Sequence, residues 1–193
     1  TNTQENKILI NYNFIYKKII SNYTFFKFAD LLDKSVFVAL SNEYKKFPFN
    51  TFFGQRTDVK DRIFCNSIQS KLLYELGKEF DTAKCKEFFG NVCNQNFIKC
   101  KTRIELCNDA KGSYLHNHVD DKAKLFTLQV YLTSLQDSTI LNNSQVTAQE
   151  NSGWFFKNTG TEYHSLQPLS DNRSSIIVNY VNEQWRNQSV LVN

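Results

Sequence analysis

The sequence predicts an α+β protein in which helices buttress one face of a β-sandwich or jelly roll. Two patterns carry that prediction. Before Asn96, apolar residues recur at helical spacing in several stretches. After Asn96 they fall into short segments rich in β-branched and aromatic residues, separated by Asn, Asp, Ser and Gly clusters. The length of 193 residues suits one domain, 1–193, built on one core, with the helical part reaching to about residue 95.

The first twenty-odd residues mix Asn, Lys and Tyr with Ile and Phe and fit strand and helix equally. The run YTFFKF, Tyr23 to Phe28, reads as a strand. Ala29 to Tyr44 carries Leu31, Leu32, Val36 and Leu40 near helical spacing and reads as a helix closed by Pro48. Ser67 to Phe80 places Ile68, Leu72, Leu73 and Leu76 on one stripe. Asp81 or Thr82 can cap a further helix reaching Phe89, with Gly90 as its stop. Strands are expected over Phe97 to Leu106, Lys124 to Thr133, Gly153 to Phe156 and Ser174 to Val181. Asn-rich stretches such as Leu141 to Asn151 read as surface loops.

Composition narrows the function. Charged residues make up 22% and aromatic residues 15%, as in a folded globular protein. The net charge of +4 is spread among Asp and Glu, which gives nucleic-acid binding little support. No apolar run approaches the roughly 20 residues of a membrane span, and the opening TNTQENK lacks a signal-peptide pattern, so a cytoplasmic protein without a membrane partner is expected. The five cysteines, Cys65, Cys85, Cys93, Cys100 and Cys107, contain no CxxC pair and read as reduced, buried thiols.

The chemistry concentrates around three histidines. In SYLHNHVDD, residues His116, His118 and Asp120 alternate in period two and share a face on an extended strand. His164 follows in EYHSLQPL, and Arg173 heads RSSIIVNYV nine positions later. Two imidazoles and one carboxylate on one face suit a ferrous ion, because they hold it while leaving positions open. The planar fork of Arg173 can grip a carboxylate in two parallel hydrogen bonds, and Ser175 shares its face. The strand Leu125 to Thr133 presents Thr127, Gln129 and Tyr131 on one side and apolar residues on the other, as the wall of a wet cavity would.

The ordered set HVD, KLFTLQVYL, GWFF, His164 and RSSIIVNY resembles the 2-oxoglutarate/Fe(II) oxygenase superfamily and, within it, the prolyl-hydroxylase-like branch. The resemblance covers roughly Arg103 to Arg186. It implies a double-stranded β-helix, a cupin-like jelly-roll barrel, with its core over about 96–186 and supporting N-terminal helices. It implies Fe(II) on His118, Asp120 and His164. It further implies 2-oxoglutarate held at its distal carboxylate by Arg173, with Ser175 and Tyr131 assisting and Thr127 and Gln129 nearby. With O2, such a site decarboxylates 2-oxoglutarate to succinate and hydroxylates a small molecule, an amino acid or a protein side chain. The chain departs from the family in having no Tyr on the strand before HVD, where some prolyl hydroxylases use one.

Other readings use the same residues. A cupin-like metal or binding protein would recruit His116 through HxH, and an inert relative would keep the fold as a binding module. A nucleic-acid repair dioxygenase would want a second Arg six residues after Arg173, where Asn179 stands.

Overall fold

The computed structural model describes residues 7–19, 24–46, 62–66 and 70–192. Eleven strands and three helices follow in the order β1 (Ile15–Lys18), β2 (Phe25–Ala29), α1 (Lys34–Lys46), β3 (Arg62–Asn66), α2 (Lys71–Phe80), α3 (Ala83–Cys93), β4 (Lys101–Asp109), β5 (Leu115–His118), β6 (Lys124–Tyr131), β7 (Ser138–Leu141), β8 (Ser144–Thr147), β9 (Ser152–Lys157), β10 (His164–Leu166) and β11 (Arg173–Val181). They form a seven-stranded sheet, β1-β2-β9-β6-β11-β4-β3, and a four-stranded sheet, β5-β10-β7-β8. All strand pairs are antiparallel. This is the double-stranded β-helix with supporting helices that the resemblance implied.

Period-two alternation divides the large sheet into two faces. Ile104 and Leu106 of β4, Phe126, Leu128 and Val130 of β6, and Ile176, Val178 and Tyr180 of β11 face the helices in the main core. The helices answer with Leu73, Leu76, Phe80 and Phe89, all buried. Each such large side chain contributes roughly 1.5–3 kcal/mol by leaving water. A smaller cluster of Phe25, Tyr131, Leu141, Val146, Trp154 and Phe156 fills part of the space between the sheets. Most inward positions of β4, β6 and β11 are instead polar or charged: Arg103, Glu105 and Asp109, then Thr127 and Gln129, then Arg173, Ser175 and Asn179, with Cys107, Tyr131 and Ile177 between them.

Several local expectations change. The strand expected over Tyr23 to Phe28 is present as β2, while β1 and β3 are additions to the expected elements, and all three join the large sheet through β9 and β4. Helix α1 starts at Lys34, not Ala29, because Asp30 takes a left-handed conformation (φ 59°) and Asp33 accepts from Ser35 N–H at 3.0 Å to cap the first turn. Pro48 lies outside the described residues. Gly90 sits within α3 and does not end it. A Cβ there would come within 2.6 Å of Gln95 O, and the helix stops at Asn94 in the left-handed region (φ 52°). Residues 141–151 are not all loop: β7 and β8 form a hairpin around Asn142 and Asn143, whose φ values of 42° and 70° belong to a tight turn.

The four cysteines with described side chains are buried, and Cys85, Cys93 and Cys100 are free thiols, as the sequence implied. Among the described residues, no helix is long and apolar enough to cross a membrane.

Candidate metal centre

The small sheet brings the histidines together. Strand β10 pairs with β5 so that His164 stands directly opposite His118, and their rings approach to 4.2 Å between centroids. Strand β5 ends at His118, so Asp120 is not on that strand as expected from period two. The chain turns after it, and the carboxylate still joins the histidines. One ligand atom from each of His118, Asp120 and His164 lies within 4.8 Å of the others, a group able to hold a metal ion. His116 stays outside this group, exposed and packed edge-on against Tyr114 at 5.1 Å.

Both imidazoles are oriented in the same way. His118 Nδ1 lies 2.8 Å from the carbonyl of His116, and His164 Nδ1 lies 3.0 Å from that of Glu162. A carbonyl can only accept, so each Nδ1 donates and each Nε2 keeps its lone pair for a metal. Burial lowers the pKa of His164 against the opposing pull of Asp120, which favours the neutral, ligating form. Burial opposes ionisation of Asp120. Lys124, His164 and a hydrogen bond from Thr127 outweigh it and bring the carboxyl to about 2.

Asp120 is anchored to the large sheet. Thr127 Oγ1 donates to Asp120 Oδ2 at 2.5 Å, Asn179 Nδ2 donates to Thr127 Oγ1 at 2.8 Å, and Arg103 Nη1 donates to Asn179 Oδ1 at 2.6 Å. Arg103, Asn179 and Thr127 are Cα partners across β4, β11 and β6, so one rung of the ladder aims at the carboxylate. Asn179, the position at which a repair dioxygenase would want Arg, is the middle link.

Arg173 lines the same cavity as the three metal-ligand candidates, a narrow space of about 50 Å³ also walled by Thr127, Gln129 and Trp154. Its guanidinium is 1% exposed and lies over the Tyr131 ring at 5.3 Å. Nη2 donates to Asp109 Oδ2 at 3.0 Å and Nη1 to Thr139 Oγ1 at 3.1 Å, while Nε has no partner among the described residues. Its ion pair is thus with Asp109, 64 residues earlier, and not with Asp171 or Glu162. The Glu162 carboxylate instead accepts from Thr159 and Thr161.

Tyr131 and Ser175 are fully buried behind the cavity wall and are not among its lining residues. Ser175 Oγ accepts from Gln129 Nε2 at 2.7 Å. The Tyr131 hydroxyl shares a hydrogen with Thr139 at 2.8 Å and accepts from Trp154 Nε1 at 3.0 Å. They hold Gln129, Thr139 and Trp154 in place.

The strand Arg103 to Leu106, expected to line the site without an assigned role, does so through Arg103 and Glu105, whereas Asp109 and Thr139 were not singled out in the sequence. The alternation of charged and apolar residues along RIELCND was the available signal, since inward charges on a strand buried on both faces demand partners.

No protein-family model and no curated protein matches this sequence. Solved structures match its fold. A prolyl-4-hydroxylase of Pseudomonas putida superposes with a TM-score of 0.65 at 13% identity, covering 85% of this chain and 95% of that one. A Trichoplax adhaerens prolyl hydroxylase, in complex with a hypoxia inducible factor peptide fragment, gives 0.63 at 14% identity over 86% of both chains. HygX of Streptomyces hygroscopicus, with nickel and 2-oxoglutarate bound, gives 0.60 at 11% identity over 84% of this chain and 85% of that one. The chain therefore has the fold of the 2-oxoglutarate/Fe(II) oxygenases, in the form found in the prolyl-hydroxylase-like branch.

Proposed function

We propose that this protein is an Fe(II)- and 2-oxoglutarate-dependent oxygenase that hydroxylates an organic substrate. The observation that carries the reading is a single cavity with His118, Asp120 and His164 at one side and a buried Arg173, one N–H unpartnered, also on its wall. The donor set fits a ferrous ion: two imidazoles and one carboxylate leave room for further ligands. The unpartnered Nε of Arg173 fits an added carboxylate, because a buried N–H without an acceptor costs free energy that such a ligand recovers.

When bound, the metal and 2-oxoglutarate together would activate O2. That chemistry would release carbon 1 of 2-oxoglutarate as CO2, place one oxygen atom in succinate and the other in a substrate C–H bond as hydroxyl. The oxidation of the keto acid supplies two electrons to O2 and the C–H bond supplies the other two. The chain's own residues position and exclude. Arg173 and Thr139 would hold the distal carboxylate, Tyr131 supports the guanidinium from below, and Thr127 fixes the outer oxygen of Asp120. Trp154 and Leu166 add apolar surface to that cavity's wall.

Anaerobic titration with Fe(II) and then 2-oxoglutarate tests the reading. The expected result is a weak visible charge-transfer band, followed by succinate when oxygen is admitted. Asp120→Ala should abolish succinate formation by removing the anionic ligand, and full turnover in that variant would sink the assignment. Arg173→Ala should weaken 2-oxoglutarate far more than the metal, and Arg173→Lys should restore little, since an ammonium lacks the fork.

A further inference from the structure

The two sheets end unevenly on the side away from β3 and β5. The large sheet runs on past β9 through β2 to β1, whereas the small sheet stops at β8. On the overhanging strands Lys27 stands opposite Trp154, Lys17 opposite Lys27 and, two residues along, Ile15 opposite Ala29. Cross-strand partners share a face, so these four side chains lie on the face that Trp154 turns toward the small sheet. No described strand of the small sheet lies opposite them, and a hollow of about 410 Å³ separates the overhang from β8.

Both walls of the hollow are unfinished. Strand β8 pairs with β7 through the two-residue turn at Asn142 and Asn143, so Leu141 and Ser144 exchange hydrogen bonds, as do Thr139 and Val146 two residues on. Gln145 and Thr147 therefore turn their N–H and C=O groups out of the ladder, where they have no partner among the described residues. The strand is short, yet its residues SQVT carry no charge, proline or bulge of the kind that keeps an edge from pairing. On the facing wall, like charges directly opposite each other are destabilising. Lys17 and Lys27 stand so, neither paired with a carboxylate among the described residues, and no acidic residue lines the hollow.

We infer that this side of the molecule docks an extended, acidic peptide segment of a partner protein, added beside β8 as a fifth strand of the small sheet. Its backbone pairs with the outward groups of Gln145 and Thr147. Its inward side chains alternate: a carboxylate meets Lys17 and Lys27, and an apolar side chain two positions along meets Ala29 and Ile15, which is 69% exposed in the free chain. The two rows match because residues two apart on either strand are separated by about 6.8 Å. A second copy docking through the same side would bring two more lysines to the first two, so the charge selects a different chain. The inference stands apart from the oxygenase reading, since the docking side uses none of the metal-ligand candidates.

Fluorescence anisotropy with the whole chain tests it. The probe is an eight-residue peptide that alternates threonine with glutamate and valine in turn. One counterpart carries lysine for glutamate, and another carries N-methyl groups on its four central amides. The glutamate peptide is expected to bind about tenfold or more tightly than either, because the first loses the ion pairs and the second the backbone donors. Lys17→Glu combined with Lys27→Glu should reverse the preference to the lysine peptide, and both side chains reach solvent, so the fold is kept. Thr147→Pro should abolish binding while β8 stays on β7, since the N–H it removes points away from that ladder. Absent binding of the glutamate peptide, equal binding of the N-methylated one, or equal affinity in the doubly charge-reversed variant would overturn the assignment. A chain that sediments as a dimer, and as a monomer once Thr147→Pro is introduced, would give the edge to a second copy and overturn it as well.

Discussion

At the scale of single residues, the metal centre depends on hydroxyl and carbonyl groups that never touch an ion. Thr127 is the clearest case, because its hydroxyl accepts from Asn179 and has only one hydrogen to give, to Asp120. Thr127→Val keeps the shape and removes that hydrogen. Metal affinity, read by competition with a chelator, should fall by about 10-fold or more while the circular dichroism stays unchanged, and Thr127→Ser should recover most of the loss. An unaltered affinity would show that Asp120 needs no such anchor. His118 and Asp120 were legible because they are two residues apart, whereas the distant His164 and Arg173 were legible only through the resemblance of their order to the family's. The sequence did not display the pairings of Asp109 and Arg103, whose partners are 64 and 76 residues away and meet them only across the ladder between β4 and β11.

At the scale of elements, the strands that were legible are those buried on both faces and rich in β-branched or aromatic residues, β6, β9 and β11. Strand β1 was not, because its four residues, IYKK, are all exposed and only pairing with β2 makes it a strand. Strands β7 and β8 hid among Asn and Ser that serve the turn between them. Helix ends followed capping chemistry: Ser70 and Thr82 accept from Leu73 and Cys85 N–H. The pairing of β9 with β6 depends on Gly153, where a Cβ would stand 1.7 Å from the carbonyl oxygen of Gln129. Gly153→Ala must push the two strands apart beside Gln129 and Trp154. A loss of about 3 kcal/mol or more in denaturant unfolding is expected, together with weakened 2-oxoglutarate binding.

At the scale of the whole molecule, an aromatic layer joins the large sheet to the helices. Phe89, Phe126 and Phe155 meet there within 5.9 Å of one another, ring to ring. Burial pushes the Cys85 and Cys93 thiols up to about 12, so neither forms thiolate at neutral pH. A thiol reagent at pH 8 should leave both unlabelled in the native protein and modify them only after unfolding. Early labelling of either, located by peptide mass, would mean that this layer opens far more readily than its packing implies.

The two sheets hold unequal shares of the metal centre. His118 and His164 stand on β5 and β10, strands of four and three residues, whereas Asp120 is tied through Thr127 to the long central strands β6 and β11. An ion bound by all three would therefore act as a rivet between a stiff plate and a light one. Amide hydrogen exchange should register this as an asymmetry: the β4, β6 and β11 amides exchange slowly whether or not metal is present, while those of β5 and β10 become slow only once it is bound. Removing the metal would then loosen the small sheet without melting the large one.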